Sequence, residues 1–528
     1  MVALFSDWNL TVRTQTGMFD AFDYIFTDRP GVDVVKRLGH DKVEYWPMWA
    51  HDPQRFRRIP GLERIWDVSM IGNLSADIQR ERARWLHRLA KLGNRWKIRI
   101  AGGLYGDSYI NMLNQSKITF NRSIRREFNM RCYEAAACGS LLFYDEENEE
   151  VRDYFEDRVH CVLYNNDNFE ELIEYYLTHD DERKKIAAAG AQRVQEISQP
   201  KGLLKLLSRI DELGLLSGDL PPRKFNELPL PERQKRYARQ ICQGSKAANL
   251  SLATAVLGDA LRAAPNDPSL LNDYGVFAAY LALAQKDDFV QGYDAFQTAI
   301  NVAQSAIQAN PKSALARLNL GHLYKHFYML DEAKEHLLSA LQLLEEGDAG
   351  ETDLLELHFP FEFDQFRTQY ETLYAAFCGN EEDLRLARRC LLIYQAAMSL
   401  GEILEVQGNI REAGQAYQSA ALARQDLGRA RAALARCLTK LGQKGDACQQ
   451  LQIALTTDPF MSTEWLNFAD LLIESHRLSE ACDFLEECLT VIGSVPSLAY
   501  MEAPLTRRLE QVSCDSSEVP GPALSAAT

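Results

Sequence analysis

The chain has 528 residues, 46% hydrophobic and 25% charged, with a formal net charge of −16. That length exceeds what one hydrophobic core serves, so several domains are expected, and the apolar fraction lets each bury enough surface to fold. The acidic balance excludes nucleic acid and an anionic membrane as the main partner.

No apolar run approaches the about 18 residues of a membrane span, and residues 1–7 lack the basic and apolar regions of a secretory signal, which points to a cytoplasmic protein. The eleven cysteines contain no CxxC pair, and Cys132, Cys138, Cys437 and Cys448 sit in helix-like apolar patterns, so reduced buried thiols are expected. Neither a metal nor a cofactor is expected.

Short β-rich runs at 24–27, 43–46, 67–71, 96–101, 118–121, 141–144 and 161–164 alternate with helical stretches such as 78–92 and 130–137. Strands alternating with helices imply crossover units and a parallel, Rossmann-like sheet. The prolines at 221, 222, 229 and 231 mark a boundary, beyond which the pattern is wholly helical.

The helical half carries a 34-residue period. Counting from Tyr394, Gly401, Ala413, Tyr417 and Ala420 fall at positions 8, 20, 24 and 27. A second copy from Gly428 places Ala435, Ala447, Leu451 and Ala454 there; a third from Ser462 places Ala469, Ala481, Leu485 and Cys488. Trp465 stands at position 4 of the third copy and Pro459 closes the second. A further copy from Ala314 has Gly321, Tyr324, Ala333, Leu337 and Ala340, and Pro265 and Gly275 suggest an earlier one with an insertion. The pattern resembles the TPR family, whose small residues at these positions let paired helices approach closely. The resemblance implies an all-α solenoid with a protein or peptide in its groove. The aromatic run 358–366 is expected to cap the array or fill that groove.

The stretch 116–139 carries the chemistry. A strand ends at Asn121, a basic loop holds Arg122, Arg125 and Arg126, and a helix begins near Asn129 with Arg131 in its first turn, Glu134 in its second and Gly139 at its end. A helix N-terminus with arginines beside it suits a diphosphate, and a carboxylate on that helix suits the two hydroxyls of a ribose. The run Asn129-Met-Arg-Cys-Tyr-Glu-Ala-Ala-Ala-Cys-Gly139 resembles the signature of the C-terminal lobe of GT-B glycosyltransferases, in particular the CgeB-like spore-maturation branch. Blocks at 23–28, 46–53, 67–73, 170–177 and 181–190 fall in the family's order, so the resemblance spans about residues 20 to 200.

The resemblance implies that Glu134 holds the ribose of a nucleotide-sugar donor, with Asn129 and Arg131 near its diphosphate or sugar. Gly72 and Asn73, in the turn after the lobe's first strand, would admit the donor phosphates to the backbone. Relatives with paired glutamates eight positions apart have a carboxylate where this chain has Arg126. Asp7 and His51 are the remaining polar side chains expected near a cleft; the catalytic base is left unassigned.

The expected division is 1–60, the remnant of a first GT-B lobe that is otherwise largely missing; 61–216, the nucleotide-sugar-binding lobe; and 217–235, a Pro-rich linker. There follow 236–350, TPR-like repeats; 351–393, an aromatic helical insert; 394–495, three TPR repeats; and 496–528, a helix and a disordered tail. The expected function is transfer of a sugar from a nucleotide-sugar to an acceptor recruited by the repeats, with the missing part of the first lobe supplied from elsewhere. The alternative is a non-catalytic TPR interaction protein carrying a truncated lobe.

Overall fold

The computed structural model describes residues 1–6, 16–47, 50–74, 80–123, 126–216, 223–241, 247–285, 289–347, 356–359 and 381–517. Two compact units form, each from two separated stretches: Met1–Met48 with Ile210–Asp426, and Trp49–Arg209 with Leu427–Thr528. An α/β part is thus followed by a long all-helical part, and each unit contains some of both.

In the first unit, β1 (Val2–Phe5), β2 (Tyr24–Thr27) and β3 (Val43–Tyr45) form a parallel sheet in that order. The sequence reading had no strand at 2–5 and no helix at Arg29–Arg37. That helix starts where Asp28 accepts a hydrogen bond from the Gly31 N–H at 2.7 Å and Pro30 takes the first turn, where its missing N–H is not needed. The helical part of this unit includes Pro268–Ala284 paired with Phe289–Ala309, Ala314–His326 with Leu330–Glu346, and Glu381–Val406 with Ile410–Ala423.

The face made by Pro268–Ala284 and Ala314–His326 is occupied by the chain's own segment 356–359. The amide groups of Asn272 and Asn319 donate to the Leu357 carbonyl at 3.0 and 3.1 Å, and the Asn319 side-chain oxygen accepts from the Phe359 N–H at 2.8 Å. His322 Nδ1 lies 2.8 Å from the Phe359 carbonyl. The described end of the expected aromatic run therefore fills a helical face; residues 360–366 lie outside the described residues.

In the second unit, β4 (Trp66–Ile71), β5 (Ile98–Ala101), β6 (Ser116–Phe120), β7 (Leu141–Asp145) and β8 (Val162–Tyr164) form a five-stranded parallel sheet in the order β5-β4-β6-β7-β8. Val68 faces Ile98 on one side and Ile118 on the other, and the strand is buried along nearly its whole length, as a central parallel strand must be. β5 lies to one side of β4 and β6 to the other. The loops that leave β4 and β6 diverge there, opening a crevice at the strands' C-terminal ends.

The 34-residue period has a steric cause. A Cβ on Gly401 would lie 2.5 Å from the ring of Tyr417, one on Gly428 would lie 2.8 Å from the Ala454 carbonyl oxygen, and one on Gly321 would lie 2.9 Å from Leu337 Cγ. Gly401 and Gly321, both at position 8, sit against position 24 of the partner helix, while Gly428, at position 1, sits against position 27 of its own.

The last pair, Ser462–Glu474 and Leu478–Ser494, is fixed to the α/β sheet of the same unit. Val491 and Ile492 share a core with Leu86, Leu89 and Ala90 of the helix Arg80–Lys91, Ser494 Oγ donates to the Ala90 carbonyl at 3.0 Å, and Lys91 pairs with Glu487 at 2.7 Å. No helix among the described residues is long and apolar enough to cross a membrane.

Candidate functional site

A cleft of about 840 Å³ opens at the C-terminal ends of β4 and β5, against the helix Met130–Ala137. Ile71 ends β4 and hands the chain to Gly72 and Asn73, which form one wall; Gly102, Gly103 and Gly106 after β5 form another. Arg131 and Glu134, three positions apart and so on one helix face, form the third.

The glycines allow close approach. A Cβ on Gly72 would collide with the Arg131 guanidinium, and one on Gly102 would lie 3.2 Å from the Gly72 carbonyl oxygen. Gly103 and Gly106 hold φ of 70° and 57°, a region that only glycine enters without cost. The turn after β5 therefore brings backbone at three glycines to the cleft, with Leu104 and Tyr105 between them also in its lining.

Arg131 Nη1 donates to Asn121 Oδ1 at 2.7 Å, which fixes the guanidinium at the cleft while its buried Nε has no acceptor among the described residues. Behind it Arg82 donates to the Arg122 carbonyl at 2.8 Å, and burial, with the Arg131 charge adding to it, pushes the Arg82 guanidinium down to about 9. The Arg131 cation, which lines this wall, favours an anion in front of it.

Glu134 is buried, only 5% exposed, and accepts a hydrogen bond from the Tyr109 hydroxyl at 2.5 Å. Burial raises its carboxyl above the ordinary glutamate value, against the lowering effect of the Tyr109 hydrogen bond, Arg131 and Arg55. The same pair pushes the Tyr109 hydroxyl far up, chiefly through burial, so that it remains a donor. A carboxylate held by one donor keeps lone pairs for further hydroxyls.

The structure therefore brings Gly72, Asn73, Arg131 and Glu134 to one cleft and leaves Asn129 out of its lining. The Asn129 side chain instead accepts from Asn121 Nδ2 at 2.9 Å, bracing the loop that positions Arg131. Of the loop arginines, Arg122 is locked between Asp145 at 2.6 Å and Glu81 at 2.9 Å, and Arg126 pairs with Glu147 at 3.3 Å; Arg125 lies outside the described residues. His51 is fully buried with Nδ1 3.0 Å from the Ile197 carbonyl, a packing position away from the cleft lining, and Asp7 lies outside the described residues.

Tyr109, Arg55, Ser497 and the glycines after β5 were not singled out from the sequence. The run Ala101-Gly-Gly-Leu-Tyr-Gly106 was the available signal, since a glycine cluster directly after a strand marks backbone that must approach something. Among the described residues, no three His, Cys, Asp or Glu side chains gather as a metal site.

Residues 62–199, the segment that builds this cleft apart from Arg55, Phe56 and Ser497, match the family model described as glycosyl transferase-like. No curated protein matches the chain. Among solved structures, the chain is similar to the crystal structure of MamA at 14% identity, with 40% of this chain and 94% of that one covered and a TM-score of 0.27. It is similar to YrrB, a TPR protein with an unusual peptide-binding site, at 16% identity over 44% and 91% of the two chains, TM-score 0.28. It is also similar to the pneumococcal O-GlcNAc transferase GtfA in complex with UDP and GlcNAc, at 13% identity over 38% of this chain and 47% of that one, TM-score 0.29. The chain thus joins a glycosyl transferase-like segment to helical pairs of the TPR type.

Proposed function

We propose that the cleft binds a nucleoside-diphosphate sugar and that the chain transfers its glycosyl group to a hydroxyl or amine acceptor, of the GT-B kind and closest in signature to the CgeB-like branch. The observation that carries this reading is the placement of Arg131 and Glu134 on one face of one helix, both toward the same glycine-lined cleft. Arg131 and the backbone N–H groups of the glycine turns face the diphosphate, and Glu134 takes the ribose hydroxyls.

The anomeric carbon loses its bond to the diphosphate oxygen, which departs with the electron pair, and the acceptor atom bonds to that carbon while its proton passes to water or to the departing diphosphate. Negative charge grows on the leaving diphosphate, so a prepositioned guanidinium helps most where the reaction needs it. The helical pairs bring the acceptor, a protein or peptide, to the donor.

Release of UDP or GDP from their sugar conjugates, measured with purified chain, tests the reading. The expected result is release that falls at least about tenfold in both Arg131→Ala and Glu134→Ala, each removing a charged hydrogen bond of about 1.5–3 kcal/mol. Release from neither nucleotide family, or release indifferent to both substitutions, contradicts it.

A further inference from the structure

Beside the cleft lies a second chamber of about 460 Å³, and Leu74 and Ser497 line both. Its floor is Leu74 and Ile100 from the sheet; its other walls come from the last helical repeats, with Arg429, Asp458, Phe460, Ser462 and Thr463. These two sources are held rigidly to each other by the shared core and by the Ser494–Ala90 and Lys91–Glu487 contacts. Ser462 is itself fixed by a 2.7 Å hydrogen bond to the Tyr500 hydroxyl.

The chemistry of the chamber differs from that of the cleft. A guanidinium and a carboxylate stand in the same small volume, so neither an anion nor a cation is favoured overall, while three hydroxyl side chains and an aromatic ring add hydrogen bonding and an apolar face. That set matches a neutral, hydroxyl-rich ring. We propose that the last helical repeats carry a glycosyl-binding subsite, in which Thr463, Ser462 and Ser497 surround a sugar ring that adjoins the nucleotide held at Arg131 and Glu134. This rests on the reading of the cleft as a nucleotide-sugar site. The ring comes either from the donor or from a sugar already carried by the acceptor.

Thr463 is exposed on the chamber's rim, so Thr463→Trp fills the space without disturbing the core, and Thr463→Arg fills it with a flexible chain. Calorimetry compares UDP with UDP-glucose and UDP-N-acetylglucosamine, and GDP with GDP-mannose, and then titrates glucose and N-acetylglucosamine into UDP-saturated protein. The expected result is that wild type gains about tenfold in affinity from one glycosyl group, and that both variants lose this gain while binding UDP or GDP as wild type does. Loss of the gain for a nucleotide sugar assigns the ring to the donor; loss of free-sugar binding assigns it to the acceptor. Nucleotide binding with neither a glycosyl gain nor free-sugar binding, or either of these unchanged in both variants, overturns the subsite alone. Absence of all nucleotide binding in wild type overturns the cleft reading, and the subsite with it.

Discussion

Replacing Gly72 by alanine adds one methyl group where the Arg131 guanidinium now lies. The colliding atoms are the far end of a flexible side chain, so Arg131 can swing aside, but Gly72 holds φ 158°, which a residue with a Cβ rarely adopts, so the fold should also lose about 1–3 kcal/mol to backbone strain. A separate cost falls on binding. Swinging aside breaks the 2.7 Å bond to Asn121 Oδ1 and withdraws the cation from the cleft. A charged hydrogen bond to phosphate is worth about 1.5–3 kcal/mol, so nucleoside-diphosphate affinity should drop roughly 10- to 150-fold. Calorimetry gives the affinity and urea unfolding gives the stability. Because the methyl acts on binding through Arg131, the substitution should cost no further affinity in an Arg131→Ala background, where only the backbone strain at position 72 remains. Additive losses in the double variant, or wild-type affinity in Gly72→Ala, would refute the reasoning.

Glu134 sets a pH dependence. Burial raises its carboxyl above the ordinary value of 4.5, and only the ionised form accepts from both ribose hydroxyls, so UDP affinity should fall as pH drops through that raised value. Glu134→Gln should bind more weakly and lose this component, measured by titration across pH 4.5 to 8 beside wild type to separate the phosphate's own titration. Without ligand the sign for stability is opposite: the folded state holds the proton more tightly than the unfolded one, so stability is greatest below the unfolded value and declines as pH rises through the folded one. Glu134→Gln should therefore gain stability relative to wild type at neutral pH and lose that advantage in acid. In the first unit, Asn319→Ala removes the acceptor of the Phe359 N–H and leaves the Leu357 carbonyl to Asn272, so it should destabilise that unit by about 1–3 kcal/mol and raise hydrogen exchange at 357–359; unchanged exchange would contradict the filled helical face.

The strands were legible because parallel-sheet strands are apolar along their length: each of the seven runs read from the sequence coincides with a strand to within about two residues. β1 was missed as a short segment at the chain start, and the helix Arg29–Arg37 was missed although Asp28 and Pro30 form a readable start signal. Arg131 and Glu134 were legible because their relation is local, set by helical spacing within one signature. Asn129, Arg122 and Arg126 carry the same polar character in the sequence, and their different fates depend on Asn121, Asp145 and Glu147, which no local pattern links to them. Tyr109 reaches Glu134 across two helices, and Ser497 reaches the cleft only because the last repeat docks on the sheet. That docking uses Val491, Ile492 and Val495, apolar residues indistinguishable in sequence from those that face the repeat's own partner helix.

The central claim is that this cleft is a nucleotide site built on Arg131 and Glu134. Calorimetric titration of the purified chain with UDP and GDP, repeated on Glu134→Ala shown to be folded by circular dichroism, tests it most directly. The account predicts saturable one-to-one binding of at least one nucleotide that weakens at least about tenfold in the variant. Binding that survives Glu134→Ala undiminished, or no binding of either nucleotide by wild type, would contradict it.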